Sequence, residues 1–216
     1  MSIHKTYAVF GLGRYGRAVA KELVENGAEV IAVDLDEAIV NAAAGDLPIC
    51  KCADITDLDT LTQLGISNID TVIIAMASNL EASVMAVTLC KELGIKTVIA
   101  KCANEMHQKI LDRVGADQVV FPENESGIRL AKNLLSSGFV DMIALSKEVS
   151  VVELEIRDEW IGRSLIELNL RKKYSINVVA IRRGEVVSAD INPEEKLEQG
   201  AKLVVIANTA KLAKLK

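Results

Sequence analysis

The sequence predicts an α/β fold: a doubly wound parallel sheet followed by a small α+β C-terminal domain. Three observations carry this reading. A glycine loop, Gly11-Leu12-Gly13-Arg14-Tyr15-Gly16, closes a short apolar run and opens a helical pattern. Apolar strand-like runs then alternate with helical stretches as far as Phe121, as in a parallel sheet covered by helices on both faces. After Gly138 the pattern changes to two-residue alternation, the mark of half-exposed strands. The glycine loop makes the first sheet Rossmann-type, and the change of pattern divides the chain into domains 1–138 and 139–216.

Tyr7–Phe10 is the first strand. A helix follows over Arg14–Glu25, with Val19, Leu23 and Val24 on one face and Gly27 just past its end. Glu29–Val33 is the second strand, closed by Asp34, and the next helix turns Ile39 and Val40 to its apolar side. Pro48–Cys52 reads as the third strand and Asp57–Gln63 as a short helix. Thr71–Ala75, rich in β-branched residues, is a strand buried on both faces. A helix over Leu80–Glu92 ends at Gly94, and Thr97–Ala100 is the fifth strand. Glu105–Val114 is helical and ends at Gly115, Gln118–Phe121 is the sixth strand, and Ser126–Leu135 is a helix leading away from the sheet. In the second domain Val149–Ile156 alternates as a strand, and Ser164–Leu170 is a short helix. Asn177–Arg182 and Glu185–Ser188 flank Arg183-Gly184 as a hairpin, and Lys202–Ala207 is the last strand.

Composition narrows the function classes. Half of the residues are hydrophobic but only 3% are aromatic, so the core is aliphatic. The net charge is −5, and no Lys/Arg stripe with interleaved aromatics occurs, which argues against nucleic-acid binding. No apolar run approaches the ~18 residues of a membrane span. The expected location is therefore cytoplasmic, with any membrane association made through a partner. Cys50, Cys52, Cys90 and Cys102 are expected to be buried, reduced thiols; zinc would need more ligands at suitable spacing, and His4 and His107 are the only histidines.

The glycine loop carries the chemistry. Gly11 permits the turn after the strand, Gly13 lets the backbone approach a pyrophosphate, and Gly16 lets the helix pack closely on the sheet. The helix N-terminus offers free N–H groups to phosphate. Asp34 lies 18 residues after Gly16, where a carboxylate accepts hydrogen bonds from both ribose hydroxyls and repels a 2′-phosphate. Arg14 adds a cation beside the phosphates and would grip the terminal phosphate of ATP. The other candidates follow the strands, where ligands bind in such sheets. Asp54 could contact adenine or cap the next helix. Asn79, at the end of Met76-Ala77-Ser78-Asn79, could equally be a helix N-cap. Lys101 follows the fifth strand, His107 is a lone histidine on the next helix, and Glu123 follows Pro122. Glu123 could help hold a cation such as Mg2+ beside a triphosphate.

Taken together, GLGRYG, VDLD, ADITD, AMASNLEAS, AKCANEMHQKIL and GADQVVFPENESG resemble, in order and spacing, the RCK domains that regulate potassium channels and transporters. The chain is most similar within that group to KtrA-type regulatory subunits of Ktr potassium uptake systems, and Phe139–Lys216 corresponds to the group's small C-terminal module. The resemblance implies a non-enzymatic subunit in an octameric ring beneath a KtrB-type membrane potassium translocator. ATP, ADP or NAD(H) would bind the first domain and bias the ring's shape. The implied binding residues are Gly11, Gly13, Arg14, Tyr15 and Gly16, the acidic stretch Asp34, Leu35 and Asp36, and Ala53 with Asp54. Met76, Ala77, Ser78 and Asn79 follow, then Lys101, Cys102, Ala103, His107 and Glu123. Some members bind cyclic di-AMP in the C-terminal module. Arg171, Ile176, Asn177 and Pro193 occupy that stretch here, where a hydrophobic dimer contact explains them equally well. The alternative function is an NAD-dependent oxidoreductase, for which His107 and Lys101 are the only candidate proton donors.

Overall fold

A computed structural model describes residues 5–135, 139–146 and 148–208. The chain divides into two compact units, Met1–Pro122 and Glu123–Lys216.

In the first unit, strands β1 (Thr6–Phe10), β2 (Glu29–Asp34), β3 (Cys50–Cys52), β4 (Thr71–Ile74), β5 (Thr97–Lys101) and β6 (Gln118–Val120) form one parallel sheet. Their order is β3-β2-β1-β4-β5-β6. Alternate residues of each strand enter different cores. Ala8 and Phe10 of β1 join Val33, Val72 and Ile74 on one face, while Val9 joins Val30, Ala32 and Ile73 on the other. Both faces are thus covered, which is why β4 reads as an unbroken apolar run. Burying the Phe10 side chain alone contributes about 2–3 kcal/mol.

The intervening helices are α1 (Arg14–Glu25), α2 (Glu37–Ala43), α3 (Leu58–Gln63), α4 (Leu80–Glu92) and α5 (Glu105–Arg113). Each of α2 to α5 begins at an Asp or Asn whose side chain accepts from the first-turn backbone: Asp36, Asp57, Asn79 and Asn104. Helix α1 differs: its N-cap residue is Gly13, which has no side chain to cap the first turn. None of the described helices is long and apolar enough to cross a membrane.

The second unit holds α6 (Pro122–Leu135) from its second residue onward, then β7 (Phe139–Ala144), β8 (Val149–Glu155), α7 (Leu165–Leu168), α8 (Leu170–Tyr174), β9 (Ile176–Arg183), β10 (Val186–Ser188) and β11 (Lys202–Asn208). Its sheet is antiparallel, in the order β10-β9-β11-β8-β7. One face carries the core: Val152, Leu154, Leu203, Val205 and Ile181 pack with Trp160, Leu168 and Leu197.

Several expectations need correction. The third strand starts at Cys50 rather than Pro48; pairing begins with the Ile49 carbonyl, which accepts from Ala32, and Pro48 has no N–H to donate. Helix α6 begins at Pro122, one turn before the expected Ser126, because proline suits a first helical position. The expected helix Ser164–Leu170 is two short helices, split where Asn169 adopts the left-handed conformation at φ 47°. Strand β7 was not expected at all. The cysteines are not all buried: Cys90 and Cys102 are, but Cys50 is half-buried and Cys52 exposed, because β3 is an edge strand. Burial pushes the Cys90 thiol up to about 12, so it stays protonated and inert.

Candidate nucleotide-binding site

The strand order reverses between β1 and β4, and the crevice at their carboxyl ends is where such sheets bind ligands. The glycine loop leaves β1 at that point. Gly11 has φ +89°, and a Cβ there would lie 3.2 Å from the Met76 nitrogen after β4. Gly16 is more constrained. A Cβ on it would lie within 1.9 Å of the Gly11 carbonyl oxygen and 2.9 Å of the Ala75 side chain. Helix α1 therefore reaches the loop only because residue 16 lacks a side chain. At Gly13, by contrast, a Cβ would meet nothing within 4 Å. The backbone there faces open space at the uncapped start of α1, which leaves room for a phosphate.

Asp34 ends β2 beside this loop. Its carboxylate accepts from the Leu12 N–H at 2.6 Å and from the Asp36 N–H at 3.0 Å. Asp36 in turn caps α2 through the Ala38 N–H at 2.8 Å, and Leu35 between them is exposed. Two arginines occupy the first turn of α1, and they differ. Arg17 is paired with Asp46 at 2.5 Å, and the Arg17 hydrogen bond, helped by Lys21, holds the Asp46 carboxyl below its usual range. Arg14 is exposed and makes no ion pair among the described residues. It is the cation of this turn still available to an anion. Next to it, Tyr15 lies under Lys101 of β5, whose ammonium is 5.4 Å from the ring centroid, a cation–π contact.

The remaining candidates have local partners. Asp54 does not cap α3, which Asp57 does; among the described residues it accepts from the Thr56 N–H at 2.9 Å and hydroxyl at 2.6 Å. Ala53 donates its N–H to the Asp34 carbonyl, which ties this segment to the end of β2. Asn79 caps α4. Met76 and Ala77 are half-buried and Ser78 is exposed. Ser83, which the sequence reading passed over, is buried and donates its hydroxyl to the Met76 carbonyl at 3.0 Å, fixing that loop. Its only sequence signal was a small polar residue on the buried face of an apolar helix.

Cys102 is buried and Ala103 exposed. Ala103 donates its N–H to Nδ1 of His107 at 3.3 Å. The Nε2 atom must then carry the proton, and it is buried with no partner among the described residues. Burial holds the imidazole below its ordinary pKa, so it is neutral at pH 7. Glu123 sits in the first turn of α6, in the second unit, and is exposed. No cluster of three metal-ligating side chains occurs among the described residues. In the second unit Arg171, Ile176 and Asn177 line one cleft of about 510 Å³ with Leu165, Ile166 and Asn169; Pro193 is not among the lining residues.

Comparison with known proteins places the chain. Residues 7–122 match the TrkA-N domain and residues 150–216 the TrkA-C domain. The chain is 39% identical over 210 residues to Ktr system potassium uptake protein C of Bacillus subtilis (strain 168), across 97% of this chain and 95% of that one. It is 36% identical to Ktr system potassium uptake protein A of the same organism, across 95% and 92%. Among solved structures it matches the GsuK channel bound to NAD, with TM-score 0.66 and 16% identity, over 99% of this chain and 39% of that one. It also matches the TrkA-N domain of inner membrane protein ybaL from Escherichia coli, with TM-score 0.55 and 15% identity, over 62% and 99%. These structural likenesses show the fold, and the sequence matches show the lineage. The chain belongs to the TrkA-N/TrkA-C family of RCK-domain proteins, and its relatives include the Ktr potassium uptake proteins.

Proposed function

We propose that this chain is a nucleotide-sensing regulatory subunit of a potassium uptake system. It binds ATP, ADP or NAD(H) in its first unit and gates a KtrB-type membrane translocator through the shape of a homo-oligomeric, octameric ring. The chain acts at the cytoplasmic face of the membrane, held there by that partner. One observation carries the reading most: a glycine loop closed by Gly16, open at Gly13, and flanked by the exposed, uncommitted Arg14. The residues fit a nucleotide. Gly13 leaves room for phosphate, α1 starts without a side-chain cap, and Asp34 supplies the ribose acceptor. Family membership adds the purpose, since its relatives are named as potassium uptake proteins.

The mechanism is a population shift. A ligand moves an equilibrium only by its differential affinity for the two states. Arg14 gives ATP a handle that ADP lacks, so the two nucleotides weight the ring states differently. A divalent cation arriving with ATP would take phosphate oxygens and one carboxylate, for which Glu123 is the candidate; Mg2+ sites of this kind need few protein ligands. The domain division that serves this function is a nucleotide-binding part, 1–138, and a C-terminal part, 139–216, with α6 following the strands of the first sheet in chain order. Cyclic di-AMP is a second ligand proposed for the cleft lined by Arg171, Ile176 and Asn177.

The test is potassium flux through a reconstituted translocator with the purified chain added. ATP and ADP should give different fluxes, and Arg14→Ala should remove the difference. Equal flux with either nucleotide, or turnover of NADH with a small substrate, contradicts the proposal. Native mass spectrometry should show the ring, and a monomer counts against it.

A further inference from the structure

We infer that Asp34 is a positioning residue for the phosphate loop as well as the ribose acceptor, so that sugar and phosphate subsites share one carboxylate. The inference deepens the nucleotide-binding reading above and rests on it. An ionised carboxylate has about four lone-pair sites. Two are taken within the chain, by the Leu12 N–H at 2.6 Å and the Asp36 N–H at 3.0 Å. The two that remain match the two hydroxyls of a ribose.

The Leu12 bond joins segments 22 residues apart and belongs to neither a helix nor a strand. Leu12 lies between Gly11, at φ +89°, and Gly13, the residue that faces open space. The bond therefore ties the glycine loop to the end of β2, while Gly16 lets α1 pack against the same loop. On the other side Asp34 anchors the start of the Asp36 turn. The loop's conformation is thus set before any ligand arrives, which lowers the ordering cost of binding. An amide cannot substitute. In Asp34→Asn one oxygen becomes an NH2 donor facing a backbone N–H, so either the Leu12 or the Asp36 bond is lost.

Two measurements test this on the full chain. The first is amide hydrogen exchange without nucleotide. The Leu12 amide should exchange at least tenfold more slowly than the Gly13 amide, and Asp34→Ala, which removes both acceptor oxygens, should abolish the difference. Equal exchange at the two amides of the unsubstituted chain overturns the inference, whether or not any variant folds. The second is calorimetry with inorganic tripolyphosphate, which has no ribose. A purely sugar-binding Asp34 leaves tripolyphosphate affinity unchanged or raised in Asp34→Ala, since a negative charge is removed. A positioning Asp34 lowers it about tenfold, alongside ATP. If ATP affinity falls while tripolyphosphate affinity does not, the inference is wrong and the nucleotide reading stands. If the unsubstituted chain binds neither ligand, the nucleotide reading fails, and the Leu12 exchange rate alone decides the positioning role.

Discussion

The two sheets of this chain are buried differently. The first is covered on both faces, so it is free at its edges and at the loops that end its strands, those at the carboxyl ends forming the ligand crevice. The second is covered on one face, and its strands alternate buried and half-buried residues. A doubly covered sheet confines chemistry to its end, where glycines and backbone N–H groups set the geometry. A singly covered sheet leaves a broad face on which charges pair across strands. Lys202 and Arg182 stand directly opposite each other on β11 and β9, and like charges so placed repel. Glu153 of β8 offsets this by pairing with Arg182 at 2.9 Å and Lys202 at 3.5 Å.

The comparison predicts unequal sensitivity. The largest effect is expected at Gly16→Ala, whose Cβ would collide with backbone at 1.9 Å. It should cost ~3 kcal/mol or more and abolish nucleotide binding, as read by urea unfolding and calorimetry. The matched change in the second unit, Gly184→Ala in the β9–β10 turn, meets nothing within 4 Å. Its φ of +61° should cost only ~1–2 kcal/mol and spare nucleotide affinity. Similar losses at the two positions would break the comparison.

Glu153→Ala comes next. Its partners are about one-third exposed, so the loss should be ~1 kcal/mol after solvent screening, with no change in ATP affinity. The smallest effect is a pH dependence at His107. Its folded pKa lies below the ordinary 6.5, so just below pH 6.5 the unfolded chain binds more protons than the folded one. Stability should therefore be intact above that pH and fall as the pH drops toward the lowered value. His107→Gln should flatten the profile in that window. The carboxyls of Asp46, Asp57 and Asp70, lowered by hydrogen bonds from Arg17, Thr60 and Thr6, act further down, below about 3.8.

The doubly covered sheet was the more legible of the two. Continuous apolar runs such as Thr71–Ile74 and sharp stops at Gly27 and Gly94 mark its elements, and α1 and α4 have the expected limits. The second unit was harder. Phe139–Ala144 does not alternate cleanly, so β7 was missed, and the left-handed turn at Asn169 leaves no signature beyond the asparagine itself. At the site, residue types were legible but their engagements were not. The glycine spacing and Asp34 stand out in the sequence, yet the Leu12–Asp34 bond depends on backbone conformation 22 residues away. Likewise, two arginines three residues apart look alike until Asp46, from beyond α2, claims Arg17 and leaves Arg14 exposed.

That last difference is the most direct handle on the central claim, that the first unit distinguishes nucleotides by their phosphates. ATP, ADP and NADH should be titrated calorimetrically into the full chain and into Arg14→Ala. The account predicts a loss of about tenfold or more for ATP, the size of one charge-assisted contact, and a smaller loss for ADP and NADH. Equal losses for all three ligands, or none for ATP, would contradict it.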